Sequence, residues 1–163
     1  MPDFSEMTPD QIRAHRETVL LRLLIRVAQT ETADLVDRLH AAGHGRVNRA
    51  HITLLGNIDT EGTRLVEIAR RLGVTRQAAS QMVGDIEKRG FVERAADPDD
   101  GRAQRVRHTQ AGRAMLVDAL ALMHEIEQGY EAVIGKRAMA QLRTSLSKIA
   151  QATDAAAALG SPG

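Results

Sequence analysis

A four-residue turn, Leu72-Gly73-Val74-Thr75, constrains the fold of this chain more than any other segment. It joins two segments with a helical spacing of apolar residues, LVEIARRL before it and RQAASQMVGDIEK after it. Gly73 can adopt the positive φ that a tight reversal requires, and Thr75 is a favoured N-cap for the next helix. Val74 is placed to fill the corner between the helices. The turn therefore predicts a helix-turn-helix pair.

A β-hairpin is predicted directly after the second helix of this pair. Gly90 ends the helix, and the alternating segments FVER and QRVRHT flank the sequence Asp-Pro-Asp-Asp-Gly, which is rich in turn-forming residues. We expect a hairpin with a long loop here. A short strand is also expected in front of the first motif helix, within RLVEIARRLG. Helix, turn, helix and hairpin in this order are typical of a winged helix-turn-helix.

The second motif helix has two chemically different sides. Its apolar stripe, which we expect to face the core, consists of Ala79, Met82, Val83 and Ile86. The opposite side has the chemistry of a major-groove reader, because Gln pairs bidentately with adenine, Arg with guanine, and Ser with bases or phosphate. The predicted DNA-binding residues of this helix are Thr75, Arg76, Gln77, Ser80 and Gln81.

The segments that flank the motif are predicted to be helices. One long helix is expected from Thr8 and Pro9 to about Gly43, another from Asn48, and two more after Thr109, the last with apolar residues at intervals of three and four. A small lobe leaves these amphipathic helices uncovered, which favours a shared dimer core over an internal one. The predicted interface residues are Leu20, Leu24, Leu142, Leu146 and Ile149.

These patterns divide the chain into four parts. We expect an N-terminal dimerisation helix in residues 1–46, a winged helix-turn-helix lobe in residues 47–110, C-terminal dimerisation helices in residues 111–158 and a disordered tail in residues 159–163. The fold class is mainly α with a small β-hairpin wing, on a helical dimerisation platform. Aromatic residues make up only 2% of the chain, which suits a helical core of aliphatic side chains.

Composition and charge restrict the function classes. The absence of Cys excludes disulfides, thiolate chemistry and cysteine-based zinc sites. The N-terminus lacks the apolar core of a signal peptide, and the longest apolar stretch, residues 19–27, carries Arg22 and Arg26. We therefore expect a soluble protein of the cytoplasm, associated with the nucleoid and without membrane contact. Residues 70–110 contain nine basic and six acidic residues, and this local excess of positive charge mildly supports a polyanionic partner.

The segment LVEIARRLGVTRQAASQMVGDIEKRGFVERAADPDDGRAQRVRHTQAGRAML resembles the MarR family of bacterial transcription regulators, and the similarity extends over roughly residues 48–116. The resemblance implies a homodimer with two winged lobes on a helical platform, which binds a pseudo-palindromic operator in double-stranded DNA. It also implies regulation of transcription, which we interpret as repression, and modulation by a small-molecule effector whose pocket residues the sequence does not reveal.

The predicted wing matches the family pattern Asp-x-x-Asp-x-Arg at Asp97, Asp100 and Arg102. The resemblance implies that Asp97 shapes the turn, that Asp100 holds an arginine, and that Arg102 reaches the minor groove, where negative potential favours arginine. The further wing residues predicted to contact DNA are Arg94 and Arg105. Three departures from the family are Val66 at an expected N-cap, Gly84 inside the recognition helix, and Gly101 in place of a basic residue.

Other classes of function stay open at this stage. A winged-helix adaptor that binds only proteins is one alternative, and an enzyme is another, although the sequence shows no phosphate loop, nucleophile elbow or HExxH motif and no cofactor is expected. His40, His44 and His51 are spaced closely enough to raise the question of a zinc site, but an exposed histidine pair is common by chance, and we predict no metal. His108 is as compatible with a structural role as with a phosphate contact.

Overall fold

The computed structural model describes residues 7–45 and 47–159, without the side chains of residues 101, 102 and 154–159. It contains seven helices and three short strands among these residues. In chain order they are α1 (Pro9–Thr18), α2 (Leu20–Ala41), α3 (Arg49–Leu55), β1 (Thr63–Arg64), α4 (Leu65–Leu72), α5 (Arg76–Lys88), β2 (Val92–Asp97), β3 (Asp100–His108), α6 (Gln110–Ile134) and α7 (Lys136–Leu159). The predicted class, mainly α with a small β wing, is confirmed.

The N-terminal segment forms two helices, so the prediction of one long helix was wrong. Thr8 caps α1 with its side chain and Pro9 is the first helical residue, as predicted. The helix then breaks at Val19, which has extended backbone angles. The Thr18 hydroxyl donates to the His15 carbonyl at 2.9 Å, and this is the carbonyl that the Val19 N–H would use in a continuous helix. A side-chain bond therefore competes with the backbone bond at the break.

The turn between α4 and α5 has the predicted geometry. Gly73 has a φ of +64°, and the Thr75 side chain accepts a hydrogen bond from the N–H of Ala78 at 3.2 Å. Two details of the prediction were wrong. Val74 does not fill the corner, because its side chain is 38% exposed. The N-cap of α4 is Arg64 rather than Val66, although this cap makes no side-chain hydrogen bond.

The three strands form one antiparallel sheet in the order β1-β3-β2. Asp97 pairs with Asp100, so only two residues connect β2 to β3, and the expected long loop was wrong. The extra length lies in the strands, which continue through Ala95 and Ala96 on one side and through residues 101–103 on the other. A register shift between Ala96 and Asp97 lies next to the turn. The ladder is therefore regular from Val92 to Ala96 and is interrupted by a bulge at residues 101–103, next to the tip.

The core around the motif helices, to which α2 and α6 also contribute, is aliphatic and closely packed. The largest fully buried side chains include Leu39, Leu54, Ile68, Ile86 and Met115. Gly112, in the first turn of α6, lies so close to the residue before β2 that a Cβ there would be 1.9 Å from the carbonyl oxygen of Phe91. Thr109 caps this helix as predicted, since its hydroxyl accepts a hydrogen bond from the N–H of Gly112 at 3.0 Å. Small size at Gly112 is thus a packing requirement.

The chain divides into two compact units, Met1–Leu122 and Met123–Gly163. The second unit contains the end of α6 and all of α7, and the Arg143 guanidinium binds the Glu127 carboxylate at 2.7 Å within it. The predicted domain boundaries stay a proposal. Of the predicted disordered tail, Leu159 ends α7, and residues 160–163 lie outside the described residues. No described helix has the length and apolar character needed to cross a bilayer.

Candidate nucleic-acid interface

The recognition helix α5 exposes the side that was predicted to read DNA and buries the other. Ala79, Val83 and Ile86 have no exposed surface, while Met82 is partly buried. On the opposite side, Gln77 and Gln81 are exposed, together with Arg76 at the first helical position. Neither glutamine has a hydrogen-bond partner among the described residues. Their amide groups are therefore available to an external donor or acceptor.

Arg94 ties the wing to the recognition helix instead of projecting freely from the wing. Its Nη2 lies 3.4 Å from the Ser80 hydroxyl, and its Nε donates to Glu87 at 3.3 Å. The backbone N–H of Arg94 donates to the same Glu87 carboxylate at 3.2 Å. Ser80 is consequently only partly exposed. These bonds fix the distance between β2 and α5, so Arg94 and Ser80 are less available to DNA than the sequence suggested.

Asp97 is the acid that organises the arginines of the wing. Its side chain is buried, and its Oδ2 accepts a hydrogen bond from Arg64 Nε at 2.5 Å. Arg105 Nε lies 3.1 Å from the same oxygen, and Oδ1 accepts the backbone N–H of Asp99 at 3.0 Å. The hydrogen bond from Arg64, with the help of Arg105, holds the pKa of Asp97 far below its usual range. The carboxylate thus stays ionised and orders the turn.

The other wing residues with predicted roles are Arg105, Asp100 and Arg102, and their surroundings differ. Arg105 is partly buried and its Nη2 donates to Asp99 at 2.7 Å, so its guanidinium is engaged by two acids rather than presented to solvent. Asp100 is exposed at the start of β3, close enough to Arg64 to help raise the pKa of that guanidinium. The side chain of Arg102 lies outside the described residues, and its predicted minor-groove contact stays a prediction.

A network of ion pairs holds the first motif helix against the preceding loop. Glu67 accepts hydrogen bonds from Arg70 and Arg71, at 2.8 Å from the Nε of each. Arg71 also reaches Asp59, whose Oδ2 accepts the Thr63 hydroxyl at 3.0 Å. The arginine hydrogen bonds, Arg70 first and Arg71 second, lower the pKa of Glu67 to about 2. The network links α4, the loop and β1, and it orients the start of the motif.

A buried histidine links α3 to the recognition helix. His51 is 4% exposed, and its Nδ1 accepts the backbone N–H of Asn48 at 3.2 Å. Because this nitrogen accepts, the proton belongs on Nε2, which donates to the Asp85 carboxylate at 2.7 Å. The hydrogen bond from His51 is the main cause that lowers the pKa of Asp85. Sequence reasoning missed this contact, since the two residues are 34 positions apart.

The other histidines also have separate surroundings. His40 Nε2 donates to the Val47 carbonyl at 2.7 Å, and His44 Nε2 lies 2.7 Å from the Asp118 carboxylate. Among the described residues, no three potential ligands converge in a way that would hold a metal ion. His108 is buried, and burial lowers its pKa. It faces the core rather than a phosphate.

The residues predicted to form a dimer interface are incompletely covered by their own chain. In α2, Leu20 is 57% exposed and Leu24 is partly exposed. In α7, Leu142 and Ile149 are 44% and 47% exposed, and Leu146 is partly exposed. Further apolar side chains in the first unit are at least as open, notably Leu21 at 65%. Each helix therefore has an apolar face that the described residues of its own chain leave partly exposed.

Comparison with known proteins identifies relatives of the same architecture. The sequence model of the MarR family matches residues 47–103, from the start of α3 into β3. The structure resembles CouR from Rhodococcus jostii RHA1 bound to p-coumaroyl-CoA, with a TM-score of 0.65 and 25% identity over 82% of this chain and 93% of that chain. No curated protein matches the sequence.

Two further solved structures give the same result. Apo MarR from E. coli has a TM-score of 0.64 and 25% identity, and the match covers 80% of this chain and 96% of that chain. A probable transcriptional regulator from Pseudomonas aeruginosa has a TM-score of 0.61 and 27% identity over 82% of this chain and 98% of that chain. The matches span nearly the whole length of these regulators, so the similarity includes helices beyond the lobe.

Proposed function

We propose, from the premise that this chain belongs to the MarR family, that it is a dimeric, sequence-specific DNA-binding regulator of transcription. The exposed face of α5 is the observation that carries this proposal. Gln77 and Gln81 lie one turn apart on that face with no partner among the described residues. A helix with such a face fits the major groove, where a bidentate Gln–adenine pair contributes about 1–3 kcal/mol of discrimination.

The dimer follows from the uncovered apolar faces. Leu20 and Leu21 in α2 are each more than half exposed, and exposure of this much apolar surface to water is unfavourable. The same applies to the α7 face with Leu142 and Ile149. A second copy supplies a matching surface by symmetry, since each face is presented twice. Two recognition helices then read two half-sites about 34 Å apart on a pseudo-palindromic operator.

Repression and effector control complete the proposal. A dimer seated on a promoter blocks access to it, and a ligand that prefers another spacing of the two recognition helices reduces operator affinity by population shift. The relative CouR was solved with p-coumaroyl-CoA bound, which supports a small-molecule effector for this chain as well. The site of action is the cytoplasm, on the nucleoid, and the proposal assigns no catalytic role and no cofactor.

Fluorescence anisotropy with genomic duplex fragments tests DNA binding. The logarithm of the association constant is expected to fall linearly with the logarithm of salt concentration, by about 0.9 for each phosphate neutralised. Gln77→Ala is expected to lower affinity for the preferred sequence by about tenfold while nonspecific binding stays unchanged, since each good base contact is worth roughly 1–3 kcal/mol. Gln141→Ala, in the exposed part of α7, is the matched control. Weak binding at every salt concentration would favour a protein-binding adaptor instead.

A further inference from the structure

A groove of about 550 Å³ lies beside the wing and is rich in arginine. It is lined by residues from β1, the start of α4, the start of α5 and both wing strands. None of the described lining residues is acidic. They are Arg64, Leu65, Val66, Arg76, Arg94, Ala103, Gln104 and Val106. The groove therefore concentrates positive charge between the recognition helix and the wing, which favours an anion.

The three arginines of the groove are not equally available. Arg94 is engaged by Glu87 and Ser80. Arg76 is exposed and has no partner among the described residues. Arg64 is partly available to a ligand, because its Nε binds Asp97 while its side chain is 45% exposed. The residue was not among the predicted DNA contacts, although its place directly before the first motif helix was a usable signal.

The bond to Asp97 prepares Arg64 to bind a second anion. Arg64 uses Nε for the carboxylate, and its two Nη groups have no partner among the described residues. A guanidinium is a planar fork, so fixing Nε orients the remaining N–H groups and reduces the entropy lost when they bind. Asp97 is buried and is itself held by the Asp99 N–H, which makes it a rigid support. Two Nη groups in a fixed plane match two oxygens of a phosphate.

We propose that Arg64 binds a phosphate of the operator backbone at the groove between wing and recognition helix, with Asp97 as its positioning residue. The proposal rests on the proposed function and adds to it a contact that no sequence motif identifies. The contact is to the backbone, so it fixes the register of the lobe on the duplex and carries no base specificity.

Anisotropy titrations of Arg64→Ala at several salt concentrations test the proposal. The variant is expected to bind specific and nonspecific duplexes about tenfold more weakly, and the salt slope is expected to fall by about 0.9 per half-site. Arg107→Ala is the matched control, because Arg107 also gives its Nε to one carboxylate, Glu93 at 2.8 Å, and is similarly exposed but does not line the groove. Its slope is expected to equal that of the wild type.

Arg64→Lys tests whether the planar guanidinium is required, and the salt slope of Arg64→Ala separates a phosphate contact from a purely structural role. Lysine keeps the charge but cannot serve Asp97 and a phosphate through one planar group, so we expect weaker binding with a nearly unchanged salt slope. If Arg64 only held the wing together, Arg64→Ala would weaken binding without changing the slope, and the proposal would be overturned. Should Arg64→Ala fail to fold, wild-type affinity in Arg64→Lys overturns it. If the wild type itself binds no duplex, it is the proposed function that fails.

Discussion

The winged lobe and the helices that flank it bury their apolar residues in different ways. In the lobe, Leu54, Ile68 and Ile86 have no exposed surface, and most exposed charges have partners within the lobe. In α2, by contrast, Leu20 and Leu21 are 57% and 65% exposed. The lobe exposes a mostly polar face on α5, whereas α2 and α7 expose apolar side chains. On the proposed function, DNA binding belongs to the first region and assembly to the second.

The largest expected effect comes from filling the tightest contact in the lobe. In Gly112→Ala the new Cβ would meet the Phe91 carbonyl oxygen at 1.9 Å, and this backbone oxygen cannot rotate away as the end of a flexible side chain could. We expect a loss of about 3 kcal/mol in the free energy of unfolding, measured by urea denaturation. Gly129→Ala in the same helix is the control, since nothing lies within 4 Å of its Cβ position. Equal stability of the two variants would mean that α6 does not pack on β2 as described.

Leu142→Asp is expected to break the dimer contact of the flanking helices without unfolding the winged lobe. Two like charges would meet across a symmetric apolar contact, and the dissociation constant of the dimer should rise on the order of a hundredfold or more. Sedimentation velocity is expected to show a monomer at concentrations where the wild type is a dimer. Gln141→Asp adds the same charge at the neighbouring exposed position and should leave the dimer intact. A dimeric Leu142→Asp protein would mean that α7 does not form the interface.

Glu67 gives the lobe a measurable dependence on pH. Its pKa of about 2 is below its ordinary value of 4.5, so its ion pairs stabilise the folded state fully above pH 4.5. The contribution is lost as the pH falls towards 2. Because the group is partly exposed, Glu67→Gln should cost at most about 1 kcal/mol at neutral pH. Thermal melts should show this stability difference shrinking below pH 4.5. A difference that stays constant down to pH 2 would contradict the role given to the Glu67 ion pairs. Glu61→Gln, at an exposed position, is the control.

A similarly small effect on stability, of opposite sign, is expected at Gly84 on the recognition helix. Nothing described lies within 4 Å of its Cβ position, so packing inside the lobe does not require glycine there. Gly84→Ala should raise the free energy of unfolding by about 1 kcal/mol, as alanine is the better helix former. If α5 approaches DNA closely at this position, the same variant should bind operator more weakly, whereas Gly129→Ala should bind normally. Unchanged operator affinity would remove Gly84 from the contact surface.

Local features of the fold were predictable from the sequence because their causes are local. Thr8, Thr75 and Thr109 cap helices through hydrogen bonds to residues three positions away. Gly73, two residues before Thr75, adopts the positive φ of the turn. The motif order and its resemblance to the MarR family then followed from a short window of sequence, and the family match confirms it.

Contacts between distant residues were not predictable in the same way. The sequence placed acids and arginines together in the wing, but Asp97 binds Arg64 across 33 positions, in a strand that received no functional role. The resemblance gave Asp97 only a turn-shaping role, because spacing alone does not show which acid of the wing will be buried beside arginines. Arg94 and Arg105 were predicted to contact DNA, and in the structure Glu87 engages the first while Asp97 and Asp99 engage the second.

Selection of bound sites from random duplexes tests most directly whether two lobes of one dimer read DNA together. The account predicts enrichment of an inverted repeat whose half-sites are centred about one helical turn, roughly 34 Å, apart. Recovery of a single unrepeated half-site, or of no sequence at all, would contradict it.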